Sequence, residues 1–222
     1  MYIIYVVSTY WVVSISMVYL NKMLLSNSAA SIPAPLFVTW FQCVLTCIIC
    51  KVLGAMGETS RTSGKKSFLT DFPIVKYELN MGMKVLPLSL IFVAMITFNN
   101  LCLQFVEVSF YNVARSLSII FTVIFSFLFM QQKTSLKTCF TLLVVIIGFV
   151  VGIDGEINFS LLGTLSGVLA SVFVSLNGIF TSKVLPTVGG DKSMLLYYNN
   201  INASILFLPL IALFESQVCV FF

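Results

Sequence analysis

Long apolar runs, broken by short polar punctuation, dominate the chain. Seven of them approach the roughly 20 residues that a helix needs to cross a bilayer. They cover residues 3–24, 36–56, 85–103, 110–130, 136–153, 161–183 and 195–214. Pro33 and Pro35, the polar stretch 57–66, Gly155 and the pair Gly189-Gly190 separate most of them. The runs are continuous and do not alternate in segments of about 10 residues, which argues against a transmembrane strand barrel. The pattern predicts an all-α fold: a polytopic membrane helix bundle with seven spans.

Composition agrees. Of 222 residues, 59% are hydrophobic and only 9% are charged, against roughly 25% charged in soluble domains. Too little charge remains to cover a water-facing surface, which excludes a soluble enzyme, a disordered chain and a small secreted cysteine scaffold. The charges are unevenly placed. Lys51, Arg61, Lys65, Lys66, Lys76 and Lys84 flank the link between the second and third runs. Lys133 and Lys137 mark the next even link, and Lys183 and Lys192 the one after. If the spans alternate, all these fall on one side, which the positive-inside rule makes cytoplasmic. Glu107, Asp154, Glu156 and Glu215 fall on the other, with Lys22 at its edge. No basic region or small-residue cleavage site opens the chain, so no cleaved signal peptide is expected.

Several chemistries lack their residues. There is no His, which removes Ser-His and Cys-His hydrolysis and the commonest zinc ligand. Cys43, Cys47, Cys50, Cys102, Cys139 and Cys219 sit in apolar text and read as small buried hydrophobes, not as metal or redox groups. There is no GxxxxGK[ST] loop for an ATPase, no finger or aromatic-basic motif for nucleic acid, and no acidic cluster for a metal-dependent membrane transferase. No enzyme activity, cofactor or metal is expected. No acid lies deep in a span, so ion-coupled pumping lacks its carboxylates, and facilitated exchange fits better. Asn158-Phe159-Ser160 is a glycosylation sequon beside the sixth span, and Asn202-Ala203-Ser204, inside the seventh, reads as a chance match.

Polar residues inside the spans carry the remaining signal. Arg115 lies well within the fourth run, where a cation needs a cavity or a partner. It is open to two readings, a structural hydrogen-bond hub or a contact for an anion. Tyr111, Arg115, Ser118 and Thr122 form one helical stripe. Thr97, Asn100 and Gln104 form another, as do Tyr10, Ser14, Met17 and Asn21 in the first run, and Tyr197, Tyr198, Asn199, Asn200 and Asn202 in the seventh. Such stripes either line a site, with aromatic faces stacking a base and Asn amides reading its edge, or glue helices together. Small residues recur every fourth position at Gly163, Gly167, Ser171 and Ser175, and again at Gly148 and Gly152, which predicts close helix packing. Pro87 and Pro209 are kink candidates.

Taken together, Ser8–Lys22 (STYWVVSISMVYLNK), Met95–Leu103 (MITFNNLCL), Ser109–Leu117 (SFYNVARSL), Gly167–Asn177 (GVLASVFVSLN) and Tyr197–Leu210 (YYNNINASILFLPL) resemble the nucleotide-sugar transporters of the drug/metabolite transporter superfamily, nearest their Golgi GDP-fucose carriers. The resemblance covers nearly the whole chain. It implies a ten-span fold of two inverted five-helix repeats with a site at their interface. Residues 1–153 would be the first repeat and 154–222 the start of the second, with two of its spans. It also implies substrate-binding roles for Tyr10 in the first span, for Arg115 near the pyrophosphate or a structural carboxylate, and for Asn177 near the sugar. The aromatic-Tyr-Asn-Asn motif that reads the base is Tyr197-Tyr198-Asn199-Asn200 here, with Tyr where Phe is usual.

The chain departs from that pattern in lacking spans eight to ten, together with a Gly- and Lys-containing motif in the ninth, so a truncated form is expected. The resemblance implies a nucleotide-sugar antiporter in the Golgi membrane, multi-pass, importing GDP-fucose in exchange for GMP. Its partners would be the nucleotide-sugar, the nucleoside monophosphate and the lipid bilayer, with a homodimer as a further expectation. The alternatives are a carrier of another nucleotide-sugar or sugar phosphate, and a non-transporting membrane protein that binds full-length partners.

Overall fold

A computed structural model describes residues 2–25, 34–62, 77–131, 135–154 and 160–215. Seven α-helices follow one another: α1 (Tyr2–Leu25), α2 (Pro35–Thr62), α3 (Leu79–Phe105), α4 (Val108–Met130), α5 (Leu136–Asp154), α6 (Leu161–Val184) and α7 (Lys192–Phe214). Helices are what apolar text of this length must form in lipid, where each backbone N–H and C=O has to find its partner within the segment. Local chemistry sets their ends. The Ser160 side chain accepts from Gly163 N–H at the start of α6, and the Asp191 carboxylate accepts from Ser193 N–H at 2.8 Å at the start of α7. Both are N-caps of ordinary type. Gly189 and Gly190, with φ of 74° and 77°, make the turn between α6 and α7 in a conformation that a side chain would disfavour. The helices α3 and α7 run on through Pro87 and Pro209.

The expected count of seven spans is corrected by these helices. Among the described residues, five are long and apolar enough to cross a membrane: Pro35–Arg61, Leu79–Phe105, Phe110–Met130, Leu161–Val188 and Lys192–Phe214. The apolar parts of α1 and α5, Ile4–Leu20 and Leu136–Gly152, are shorter. At 1.5 Å per residue each covers about 26 Å, less than a hydrocarbon core of about 30 Å. Asn21 and Lys22, at the edge of the first run, are polar and fall outside its apolar part.

The helices pack in the spatial order α2, α7, α3, α6, α4, α5, with α1 leaning on α3 and α4. Contacts along them give their directions. Ser171 donates to the Ala114 carbonyl and Ser175 to the Ser118 carbonyl, both at 2.7 Å, so α4 and α6 run parallel. Gly152 packs on Val113, so α5 carries the chain back along α4. Gly163 meets Phe105 and Val106, while Phe180 and Val184 pack with Val85 and Leu88, so α6 is antiparallel to α3. Leu36 meets Glu215, which joins the start of α2 to the end of α7. One end of the bundle therefore gathers the ends of α2, α4 and α6 and the starts of α3, α5 and α7. Arg61, Lys84, Lys137, Lys183 and Lys192 are exposed there. The opposite end carries Glu107 and Glu215. The clustering of basic residues expected from the sequence thus follows from helix directions, with Glu58, Glu78 and Asp191 at the same end. Lys65, Lys66, Lys76, Lys133, Glu156 and Asn158 lie outside the described residues.

The stripe of small residues on α6 explains the tight centre. A Cβ on Gly167 would sit 3.0 Å from the Ala114 Cβ and 3.1 Å from the Cys102 Sγ. Phe98 and Phe173 stack across α3 and α6 at 5.5 Å. In α5 only Gly152 packs this way. A Cβ on Gly148 would meet nothing within 4 Å.

Candidate functional site

The start of α7 is buried against α3, beside the end of α6 and the turn that follows it. Its sequence Tyr197-Tyr198-Asn199-Asn200 is buried throughout, and each residue has a different surrounding. The Tyr198 hydroxyl accepts from Glu78 N–H at 3.1 Å, which ties α7 to the entry of α3. Nearby, Tyr77 donates to Asn202 Oδ1 at 3.0 Å, and Asn202 Nδ2 donates to the Gly82 carbonyl at 2.8 Å. A Cβ on Gly82 would collide with the Tyr77 ring. This network also encloses the Asn202 sequon, so that its amide is committed to helix packing. Asn200 Nδ2 donates within its own helix, to the Leu196 carbonyl at 2.8 Å. Tyr197 packs edge-on against the Tyr198 ring.

Asn199 differs from these neighbours. It is only 7% exposed, and its Oδ1 is buried without a hydrogen-bond partner. Leaving a buried acceptor unpaired costs about 1–3 kcal/mol. The residue lies on the wall of a cleft of about 270 Å³ formed by Leu88 and Phe92 of α3, Asn177, Thr181 and Leu185 from α6 and the turn that follows it, and Lys192, Leu195 and Leu196 of α7. The α7 side of the cleft is a helical face: Lys192, Leu195, Leu196 and Asn199 are spaced i, i+3, i+4, i+7. Asn177 and Thr181 are spaced i, i+4 on α6. The wall is mostly apolar, with a few polar groups, as in small-molecule sites generally, and the volume lies at the small end of such sites. It suits part of a ligand, such as a ring, better than a whole extended one.

Of the residues singled out in the sequence, Asn177 and Asn199 meet in this cleft. Tyr197, Tyr198 and Asn200 are adjacent, with Tyr198 and Asn200 engaged in helix packing. Arg115 is elsewhere. It is exposed on α4, within electrostatic reach of the Tyr111 hydroxyl, beside Asn99, Gly167 and Ser171. Tyr111 itself donates to Asn99 Oδ1 at 3.1 Å. The rest of the α4 stripe is glue: Thr122 donates to Ser175 Oγ at 3.1 Å. Tyr10 is 67% exposed, on a helix that touches the bundle through Val18, and it is not brought to the cleft. Lys192 and Thr181 were not singled out, although their spacings to Asn199 and Asn177 were available as a signal.

The sequence pattern of the Triose-phosphate Transporter family matches residues 1–222. The chain belongs to this family. It is 49% identical over 208 residues to a GDP-fucose transporter 1 of Mus musculus, covering 92% of this chain and 56% of that protein. It is 40% identical over 213 residues to a Golgi GDP-fucose transporter of Drosophila melanogaster, covering 94% and 61%. It is 29% identical over 216 residues to a probable sugar phosphate/phosphate translocator of Arabidopsis thaliana, covering 96% and 65%. The chain thus spans a little over half the length of the GDP-fucose transporters it matches. The named relatives are transporters and not enzymes, and the helices place this chain in a lipid bilayer.

Proposed function

We propose that this protein binds a nucleotide-sugar in the α3–α6–α7 cleft and serves its antiport across the Golgi membrane, with GDP-fucose exchanged for GMP. The observation that carries the reading is the unpartnered Asn199 Oδ1 on the cleft wall. An acceptor buried in this way calls for a ligand donor, and the Watson–Crick edge of guanine supplies N1–H and N2–H. Asn177 and Thr181 offer further hydrogen bonds, while Leu88, Phe92, Leu195 and Leu196 give a ring an apolar bed. The names of the relatives support the substrate and the organelle. The positive-inside rule turns the basic end, where the cleft lies, toward the cytosol. Residues 1–153 and 154–222 then belong to different repeats, and the cleft sits between them, with α3 from one and α6 and α7 from the other.

Such an exchange needs no bond chemistry. The two ligands share one guanine, so one set of base contacts serves both directions. Proteoliposomes test this. Vesicles preloaded with GMP should take up labelled GDP-fucose faster than vesicles preloaded with a sugar phosphate that has no base. Equal uptake from both would contradict base recognition and favour the sugar-phosphate alternative.

A further inference from the structure

The basic residue with the strongest claim from sequence to meet a phosphate, Arg115, stands outside the cleft that holds Asn199. Its surroundings are Asn99, Tyr111 and the α6 residues Gly167, Ala170, Ser171 and Val174, none of which lines the α3–α6–α7 cleft. Lys183, near the cleft in sequence, is held over the Phe129 ring at 5.0 Å. Among the residues that line the cleft, Lys192 is the one that carries a charge. It stands seven positions before Asn199 on the same face of α7, about 10 Å away along the helix axis. The neighbouring acid does not cancel it at that wall. The Asp191 carboxylate caps α7 by accepting from Ser193 and Met194 N–H, and Asp191 does not line the cleft.

We propose that Lys192 is the phosphate-recognising residue of the cleft: its ammonium meets the phosphate of a nucleotide whose base is held at Asn199. The inference rests on the nucleotide reading above and adds its polarity. The base end lies deep against the buried Asn199, and the phosphate end lies toward the exposed mouth at Lys192. A compact, rotatable ammonium on a flexible stem suits phosphate oxygens as a point charge. Its exposure at the basic end lets it meet a ligand arriving from solution before the base is buried.

The test compares guanosine with GMP on the purified chain in lipid nanodiscs, for the wild type and for Lys192→Gln, Lys192→Arg and Asn199→Ala. Wild type should bind GMP more tightly than guanosine, and added salt should narrow the gap. Lys192→Gln should lose about tenfold to a hundredfold in GMP affinity, keep its guanosine affinity, and lose most of the salt dependence. Lys192→Arg should restore GMP binding. Lys192→Gln with wild-type GMP affinity, or with equal loss for guanosine and GMP, would overturn the proposal. If guanosine binding still fell in Asn199→Ala, the nucleotide reading would survive that result. Guanosine and GMP binding that ignores Asn199→Ala would sink the nucleotide reading itself.

Discussion

Glu215 shows how much a single residue can join. Its two carboxylate oxygens accept from Leu36 N–H at 2.8 Å and Phe37 N–H at 3.0 Å, so the residue that follows α7 caps the first turn of α2. Helix starts carry unpaired N–H groups and partial positive charge, which is why a carboxylate suits them. Nothing in the sequence announced the pairing. Caps are read from residues just before a helix, and this one comes from 179 positions away. Burial raises the Glu215 carboxyl above its ordinary range, and the Leu36 and Phe37 N–H groups bring it part of the way back. A raised folded-state value means that the folded chain holds the proton more tightly than the unfolded one. The resulting stabilisation is full below the ordinary carboxylate range and is lost as pH rises through the raised value. Glu215→Gln keeps an acceptor but cannot titrate. Relative to it, wild type should gain thermal stability on acidification from neutral pH. Glu215→Ala should lose about 1–2 kcal/mol of stability, as removal of a cap does. Thermal unfolding of the three proteins at neutral and mildly acid pH checks both, and a wild type that weakens against Gln on acidification would refute the assignment.

Helix α6 was the most legible element. Its small residues recur every fourth position, and the structure uses them for close approach: Gly167 against Ala114 and Cys102, and Ser171 and Ser175 for bonds to α4 carbonyls. Gly167→Val should therefore force α3, α4 and α6 apart and cost about 1–3 kcal/mol, the usual penalty of overpacking. Gly178→Ala is the control, because its Cβ would meet nothing within 4 Å. It should be neutral or slightly stabilising, since Ala favours a helix more than Gly does. Unfolding temperatures in detergent separate the two, and equal values would show that the stripe is not a packing surface. Helix α1 was legible as a helix but not as a wall of the site. Spacing on one helix fixes which residues share a face, but does not say which neighbour that face meets. Tyr10 itself stays exposed, while α1 meets the bundle through Val18.

At the scale of the molecule, hydropathy and charge carried the fold class and the charged end, because both depend on local text and on the ordering of helices. The span count did not follow, five helices of membrane length standing among the described residues where seven were expected, since apolar and polar edges grade into one another over a few residues. The cleft was only half visible. Asn199 was marked by its polarity in an apolar helix and Asn177 by the family resemblance, whereas Lys192 reads as one more basic residue in a link until α7 sets it on the same cleft wall as Asn199. Most of the inter-helix packing joins residues 1–153 to residues 154–222, with α2 and α3 against α7 and α3 and α4 against α6. A site between the proposed repeats is therefore held from both sides. In the function proposed above, Asn199, and not Asn200, reads the base there. The most direct measurement is GMP affinity of Asn199→Ala beside Asn200→Ala, both at normal yield and unfolding temperature. Asn199→Ala should lose about 1–3 kcal/mol of binding, while Asn200→Ala, whose amide serves the Leu196 carbonyl, should bind close to wild type. Wild-type GMP affinity in a well-folded Asn199→Ala protein would contradict the account.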